Sequence, residues 1–247
     1  QLRKFLGIKK IGHCGTLDPL ATGLLPICIG EATKFSSFTT DLDKTYEVEI
    51  KFGIETDTGD IDGEIISKCS NNFNEIDVKS VLRQFTGSQM QTPPMFSALK
   101  IKGKPLYSWA RKGVFLLRKE RNIAIHQIDL LDFGYDYVRL RVSCTKGTYI
   151  RSLAESIGRA LNTKAIVFSL RRVGIGEIKS GDMIDMPKGQ FCDLSSSLLP
   201  SDFLLKHLSK AILDQEDAKK VRNGQSIDYN AQLEKKGLVR IYTNKSL

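Results

Sequence analysis

Two segments alternate apolar and polar residues so regularly that each is predicted to be a strand with one face in a core and the other in water. The apolar face of the first segment, TYEVEIKF, consists of Tyr46, Val48, Ile50 and Phe52. The apolar face of the second segment, YVRLRVSC, consists of Val138, Leu140, Val142 and Cys144. Charged residues occupy most of the positions between them. The two segments therefore predict a sheet that is buried on one side only, which is typical of antiparallel strands.

The rest of the chain supplies hairpins and helices without a strict strand–helix repeat. The turn-rich stretch DTGDIDGEI after the first strand predicts a hairpin. The segment IRSLAESIGRAL has apolar residues at helical spacing and predicts a helix packed by one face. We therefore predict the α+β class, with a mixed, mostly antiparallel central sheet flanked by helices.

Charge is concentrated in one stretch of the sequence. The chain of 247 residues carries a formal net charge of +9. Between residues 100 and 121 there are eight basic residues and one acid, Glu120, and aromatic residues lie among and beside them. This segment, with its two preceding prolines, predicts an exposed basic insertion at about residues 94–122 that binds a polyanion.

Several common types of site are excluded by spacing. The segment DTGDIDG resembles a calcium loop, but the carboxylates needed at both of its ends are missing. The three histidines are far apart, and no glycine-rich nucleotide loop is present. The five scattered cysteines contain no CxxC pair and indicate small buried thiols in a reducing cytoplasm. We therefore expect no metal and no cofactor. The sequence has no apolar run long enough for a membrane span.

The loop HCGTLDPLATGLL, residues 13–25, places a single carboxylate, Asp18, before a proline. Pro19 restricts Asp18 to extended geometry, and the flanking glycines allow other backbone segments to approach closely. One interpretation is a rigidly presented functional carboxylate. The other is an Asx turn or a helix N-cap with Pro19 as the first helical residue, which the spacing alone favours.

A second group of candidates lies where the strand YVRLRVSC turns into the helix. Tyr149 and Arg151 fall at this junction. Arg151 there is able to pair with Asp18 and keep it ionised beside a polyanion, although an ordinary solvated helix residue is the alternative. Tyr46 begins the apolar face of its strand, so it suits either core packing or stacking on a nucleic-acid base.

These residues match a known family. HCGTLDPLATGLL resembles the catalytic motif of the TruB family of tRNA pseudouridine synthases. Further similar segments follow in order, from about residue 1 to 178: LPICIGEATKF, KTYEVEIKFGIETDTGD, PPMFSALKIKGKPLYSWARKG, CTKGTYIRSL and SLRRVGIGEI.

The resemblance implies a role for each candidate. Asp18 would be the catalytic aspartate, Arg151 its ionic partner, and Tyr46 the aromatic that stacks on the target uracil and serves as a late base. His13 would pack into the tRNA loop, and Tyr149 and Leu170 would line the uridine pocket. The RNA-binding residues of the insertion would be Lys100, Lys102, Lys104, Arg111 and Lys112.

The resemblance also implies a domain organisation. Residues 1–197 would form a catalytic domain with the pseudouridine synthase fold, and residues 198–247 a C-terminal PUA-like segment. The family's N-terminal strand with its Lys-Pro-x-Gly-x-[Ser/Thr] motif is not found, and the C-terminal module matches in part. We therefore expect the given sequence to be incomplete at both ends.

The implied activity is isomerisation of uridine 55 in the T-arm loop of tRNA to pseudouridine. We expect a cytoplasmic monomer that needs no cofactor and no guide RNA. Two alternatives stay open at this point: a guide-RNA-dependent pseudouridine synthase, and a noncatalytic RNA-binding module or tRNA-folding chaperone.

Overall fold

The computed structural model describes residues 2–185, 195–229 and 237–243. Its α-helices are α1 (Leu2–Leu6), α2 (Ser36–Thr40), α3 (Glu75–Gln84), α4 (Leu106–Ala110), α5 (Ile150–Ala160) and α6 (Gln215–Arg222). Short 3-10 segments span Gly30–Phe35, Ser180–Asp182, Ser195–Ser197 and Phe203–Leu205. The strands from the first to the seventh are β1 (Ile11–His13), β2 (Thr22–Gly23), β3 (Ile27–Ile29), β4 (Lys44–Phe52), β5 (Ile54–Thr56), β6 (Ile65–Lys68) and β7 (Gly87–Gln91). The remaining strands are β8 (Lys100–Ile101), β9 (Lys104–Pro105), β10 (Arg121–Phe133), β11 (Tyr137–Cys144), β12 (Ala165–Ile175), β13 (Ile178–Lys179), β14 (Ser209–Leu213) and β15 (Val239–Thr243).

By the clustering of its backbone contacts, the chain divides into two units. One comprises Gln1–Gly12, Cys28–Phe38 and Lys188–Leu247, and the other comprises His13–Ile27 and Thr39–Pro187. In the first unit, β14 and β15 pair in parallel, and α6 begins at the N-cap residue Asp214. The boundary at residue 197 inferred from the sequence stays a prediction.

The second unit is built around a seven-stranded sheet. Six strands follow the order β13-β12-β4-β11-β10-β7, and β2 pairs with β12 beside them. Neighbouring strands along this six-strand path run antiparallel, whereas β2 and β12 run parallel. The prediction of an α+β chain with a mixed, mostly antiparallel central sheet is confirmed.

The alternation in β4 and β11 directs one face of this sheet into the core. Val48, Ile50 and Phe52 are buried, and Val138, Leu140 and Val142 of the neighbouring strand lie beside them. On the opposite face Arg141 pairs with Glu47, and the Arg141 Nη2 to Glu47 Oε1 distance is 2.7 Å. Helix α5 covers the buried face with Leu153, Ala154 and Ile157. Removing this apolar surface from water is the main force that stabilises the unit.

Some local predictions are confirmed and others are wrong. The hairpin of DTGDIDGEI forms from β5 and β6. The basic insertion is predicted to be exposed rather than part of a core, and most of its basic residues are exposed, but it also has a small core of its own formed by Met95, Leu106 and Ala110. Cys69 is exposed, unlike the other described cysteines, because it lies in the loop after β6.

None of the helices in the described ranges is long and apolar enough to cross a membrane.

Candidate active site

The loop that carries Asp18 is fixed at both of its ends by backbone hydrogen bonds. The Cys14 N–H donates to Pro26 O at 2.9 Å, and the Leu24 N–H donates to Arg172 O at 2.8 Å. Between these points the Ala21 N–H donates to Asp18 O at 2.9 Å, which closes a tight turn. No helix begins at Pro19, so the helix N-cap interpretation of Asp18 is wrong.

Gly23 is needed for this loop to meet the sheet. Its backbone φ of +94° lies in a region that residues with a side chain rarely adopt. A Cβ atom at this position would lie 2.3 Å from Arg172 O. The glycine therefore lets the loop that carries Asp18 run in direct contact with β12.

Arg151 meets Asp18 from the first turn of α5. Its Nε donates to Asp18 Oδ2 at 2.8 Å, although the two residues are 133 positions apart. The Arg151 side chain is only 3% exposed, whereas that of Asp18 is 32% exposed. Asp18 is therefore paired on one side and open to solvent on the other, as a reacting carboxylate requires.

The other donors of Arg151 are also occupied. Nη1 donates to Thr58 O at 2.9 Å, and Nη2 donates to Phe96 O at 2.8 Å. The interpretation of Arg151 as an ordinary solvated helix residue is thus wrong. Because these bonds fix the planar guanidinium on three sides, it presents Nε to Asp18 in one orientation.

A second carboxylate, Asp60, lies beside Arg151 and is not among the candidates that the sequence indicates. Asp60 is buried, and its Oδ2 lies 3.6 Å from Arg151 Nη1. The Thr58 hydroxyl donates to Asp60 Oδ1 at 2.6 Å. Asp60 belongs to the DTGD turn, for which the sequence predicts only a hairpin. Sequence patterns do not single out this aspartate, because a charged residue in a turn is usually exposed. Its charge helps to balance the buried guanidinium.

Tyr46 lies on β4, directly opposite Arg172 of β12 in the strand register. It is partly buried against the core, and its burial raises the pKa of the phenol above its usual value. The guanidinium of Arg172 acts in the opposite direction, and the charge of Asp18 raises the same pKa slightly further. Tyr46 therefore stays protonated at neutral pH, and its ring is uncharged.

The remaining predicted pocket residues are placed differently from one another. Leu170 is buried in the core on β12, and Tyr149 is the N-cap residue of α5 with its side chain partly buried. His13 ends β1 with its side chain exposed. The structure thus brings Asp18 and Arg151 into contact and places Tyr46 where the charge of Asp18 acts on it. The parts played by all these residues, and by His13, Tyr149 and Leu170, stay predictions.

The basic insertion forms a small exposed structure of its own. Strands β8 and β9 make a hairpin, and α4 follows directly. The five predicted RNA-binding residues of the insertion are all exposed: Lys100, Lys102, Lys104, Arg111 and Lys112. Lys104 Nζ lies 5.7 Å from the centre of the Trp109 ring, and the Arg111 guanidinium lies 5.5 Å from that of Tyr107. This surface combines positive charge with aromatic rings, as nucleic-acid-binding surfaces do.

Within the described residues, no group of three or more His, Cys, Asp or Glu side chains is placed to hold a metal ion.

Family models match both parts of the chain. Residues 3–150 match the model of the TruB family pseudouridylate synthase N-terminal domain, and residues 209–247 match that of the pseudouridine synthase II TruB C-terminal region.

Curated relatives match over the whole chain. A protein of Dechloromonas aromatica named tRNA pseudouridine synthase B is 43% identical over 100% of this chain and 83% of its own length. Proteins of the same name from Chromobacterium violaceum and Haemophilus influenzae are 40% and 37% identical, with 100% of this chain and 81% of each relative covered.

Solved structures share the fold. A chain in a crystal structure of a Cbf5-Nop10-Gar1 complex superposes with a TM-score of 0.71 at 24% identity, covering 98% of this chain and 69% of its own. A chain in an H/ACA RNP bound to a substrate RNA containing 2'-deoxyuridine gives a TM-score of 0.71 at 22% identity, covering 98% and 68%. The family model over residues 3–150 and the curated relatives show that the chain belongs to the TruB family of pseudouridylate synthases.

Proposed function

We propose that this chain is an isomerase that converts uridine 55 in the T-arm loop of tRNA to pseudouridine. The relatives named tRNA pseudouridine synthase B support the reaction and the class of RNA. The single observation that carries the proposal is the ion pair between Arg151 and Asp18, at 2.8 Å, which leaves the other side of the carboxylate open to a substrate.

In this proposal Asp18 works as an ionised carboxylate next to RNA phosphates. The Arg151 guanidinium would balance the charge of Asp18 and hold the carboxylate in place beside those phosphates. The carboxylate would act in one of three ways: by attack on C1′ of the ribose, by addition to C6 of uracil, or by removal of a ribose proton to give a glycal. Each route detaches the base, lets it rotate and rejoins it to the sugar through carbon.

Tyr46 would receive the target base. A uridine inside a folded RNA loop must be flipped out, at a cost of about a few kcal/mol for unstacking. Stacking on the uncharged Tyr46 ring returns about 1–3 kcal/mol per base. The phenol oxygen would also act as the late base: it would take the proton that leaves C5 while its own hydroxyl proton passes to solvent. The hydrophobic side chain of Leu170 and the ring of Tyr149 would complete the pocket.

We propose that the enzyme acts on free tRNA without a guide RNA. The curated relatives that support this reach 37–43% identity over nearly all of this chain. The chain in the H/ACA RNP bound to a substrate RNA is only 22% identical.

The test is the variant Asp18→Asn assayed on unmodified tRNA transcript. Tritium release from uridine labelled at C5 should fall by at least about 10³-fold, because amide nitrogen and oxygen replace the reacting carboxylate. The dissociation constant for tRNA should stay within twofold of the parent value. A transcript with cytidine at position 55 should release no tritium from either protein.

Asp62→Asn is the matched control, because Asp62 is an exposed aspartate in the β5–β6 turn. It should keep the parent rate. Sustained release by Asp18→Asn would remove Asp18 from its role. A parent protein that binds and anneals tRNA without forming pseudouridine would instead favour the noncatalytic chaperone.

A further inference from the structure

Arg172 is a buried arginine that the reaction described above does not use. It lies on β12 and is only 1% exposed. Its Nε donates to Leu24 O at 2.8 Å, and its Nη2 donates to Gly15 O at 3.1 Å. These two carbonyl groups lie on opposite sides of Asp18 in the chain. One guanidinium therefore joins both ends of the loop that carries Asp18.

The bonds from the Arg172 side chain add to those from its backbone. Arg172 O accepts from the Leu24 N–H at 2.8 Å, and β12 pairs with β2 through Arg171 and Arg172. A Cβ atom at Gly15 would lie 3.5 Å from Arg172 Nη1, so the loop passes directly over the guanidinium. The loop is thus fixed to β12 at two separate points by one residue.

A charge in this position is costly to bury. The hydrogen-bond partners of the Arg172 side chain are neutral oxygens, the carbonyl oxygens of Leu24 and Gly15 and the phenol oxygen of Tyr46. No carboxylate of the described ranges forms an ion pair with it. An arginine buried without a carboxylate is unfavourable compared with an apolar residue of the same size. Stability alone gives no reason to have a charged residue here.

Arg172 also reaches the third member of the site. In the register of β12 and β4, Arg172 is the direct partner of Tyr46, and residues paired in this way project from the same face of a sheet. Hence one side chain contacts the loop that carries Asp18 and neighbours the ring proposed to hold the base.

We propose that Arg172 is a positioning residue for pseudouridine formation, which holds the Asp18 loop in register with Tyr46 through the carbonyl groups of Gly15 and Leu24. This inference rests on the proposed function of Asp18 and Tyr46. Because Arg172 is buried, it acts on the reacting groups and contributes no phosphate contact. Its loss should therefore slow the reaction step and leave tRNA affinity unchanged.

The test compares Arg172→Met and Arg172→Lys with the parent protein on tRNA transcript. Methionine fills much of the same space without donors, and lysine keeps the charge but cannot reach both carbonyl groups at once. We expect kcat to fall about 100-fold for Arg172→Met and somewhat less for Arg172→Lys, since a displacement of about 1 Å at a reacting group costs that much. The dissociation constant for tRNA should stay within twofold.

The matched control is Arg171→Met, because Arg171 is the neighbouring residue on β12 and is exposed. Its kcat should match the parent value. A third variant, Arg172→Ala, leaves a space for guanidinium ion at millimolar concentration, which should restore part of the lost rate. Ammonium ion, which has charge but no fork of donors, should not.

The outcomes separate the two proposals. If the parent protein forms no pseudouridine, the proposed function fails before Arg172 is tested. If the parent is active and folded Arg172→Met retains its kcat, Arg172 is not a positioning residue. If Arg172→Met does not fold, Arg172→Lys decides by the same comparison. A loss explained entirely by weaker tRNA binding, or an absence of rescue by guanidinium ion, would also overturn the inference.

Discussion

The guanidinium of Arg151 is the point at which three separate segments meet. It binds the carboxylate of Asp18, the carbonyl group of Thr58 and the carbonyl group of Phe96. Its charge is balanced by Asp18 and by the buried Asp60. Removing such a partner leaves buried charges unpaired, which costs about 3–5 kcal/mol. A truncation to alanine would therefore mix a folding defect with a catalytic one.

Arg151→Lys is a cleaner test, because lysine keeps the positive charge. A single ammonium group cannot bind Asp18, Thr58 and Phe96 in the geometry of a planar fork. We expect kcat to fall by about 10²-fold, since Asp18 loses its fixed orientation, while tRNA affinity stays close to the parent value. The measurement is single-turnover tritium release with saturating enzyme.

Arg159→Lys provides the comparison within the same helix, since Arg159 is exposed at the end of α5. It should leave the rate unchanged. A parent-like rate for Arg151→Lys would show that charge alone is sufficient at this position and that the orientation of the guanidinium is unimportant.

The start of α5 is held in place by Gln91, the last residue of β7. The Gln91 side chain donates to Tyr149 O at 3.0 Å and accepts from the Tyr149 N–H at 2.8 Å. Next to it, the Ser152 hydroxyl donates to Thr92 O at 3.1 Å. Strand β7 therefore fixes the first turn of the helix, from which Arg151 extends.

Gln91→Leu should destabilise the protein and impair the reaction together. It removes two hydrogen bonds to the backbone of Tyr149. Tyr149 O still accepts from the Leu153 N–H, but the Tyr149 N–H loses its partner, which costs about 1–3 kcal/mol in the free energy of unfolding. Because the helix start would lose its anchor, kcat should fall even when the protein is fully folded. Urea denaturation and tritium release measure the two effects.

Gln127→Leu is the control, because Gln127 lies exposed on β10 with its amide bonded to Asp129. It should change the free energy of unfolding by no more than about 0.5 kcal/mol, as for most surface substitutions. If Gln91→Leu and Gln127→Leu lower the free energy of unfolding and kcat equally, the hydrogen bonds of Gln91 to Tyr149 do not hold the start of α5 in place.

At the scale of elements, the sequence predicts β4, β11 and α5 well because each has a clear period. It fails for β12, which carries Leu170 and Arg172. Two irregularities in its pairing with β4, between Val167 and Ser169 and between Arg172 and Gly174, interrupt the alternation that would have marked a strand.

The site is predictable in the same uneven way. Asp18 is marked by an unusual loop, but its partner lies 133 positions away, and no local pattern determines such a pairing. The resemblance to a family implied that pair. Asp60 and Arg172 were missed because sequence patterns place charged residues on the surface, whereas here each is buried through contacts with distant segments.

The charge of the basic insertion should determine how strongly the tRNA affinity of the whole protein depends on salt concentration. Each phosphate that a lysine or arginine neutralises releases counterions, so the slope of log affinity against log salt becomes steeper by about 0.7–0.9 per contact. Lys100 and Lys112 are exposed on the insertion. The double variant Lys100→Gln and Lys112→Gln should therefore lower the magnitude of the slope by about 1.5 and weaken binding most at low salt.

The control removes the same charge elsewhere: Lys68→Gln with Lys79→Gln, two exposed lysines on β6 and α3. Filter binding of tRNA between 50 and 200 mM salt, roughly the range over which phosphate contacts act strongly, gives both slopes. The control slope should match the parent because only general attraction is lost. If both double variants lower the slope equally, net charge alone attracts tRNA and the insertion makes no specific phosphate contacts. If the magnitude of the slope decreases more for the insertion variant than for the control, and kcat at saturating tRNA is preserved, the insertion captures tRNA and Asp18 carries out catalysis independently of it.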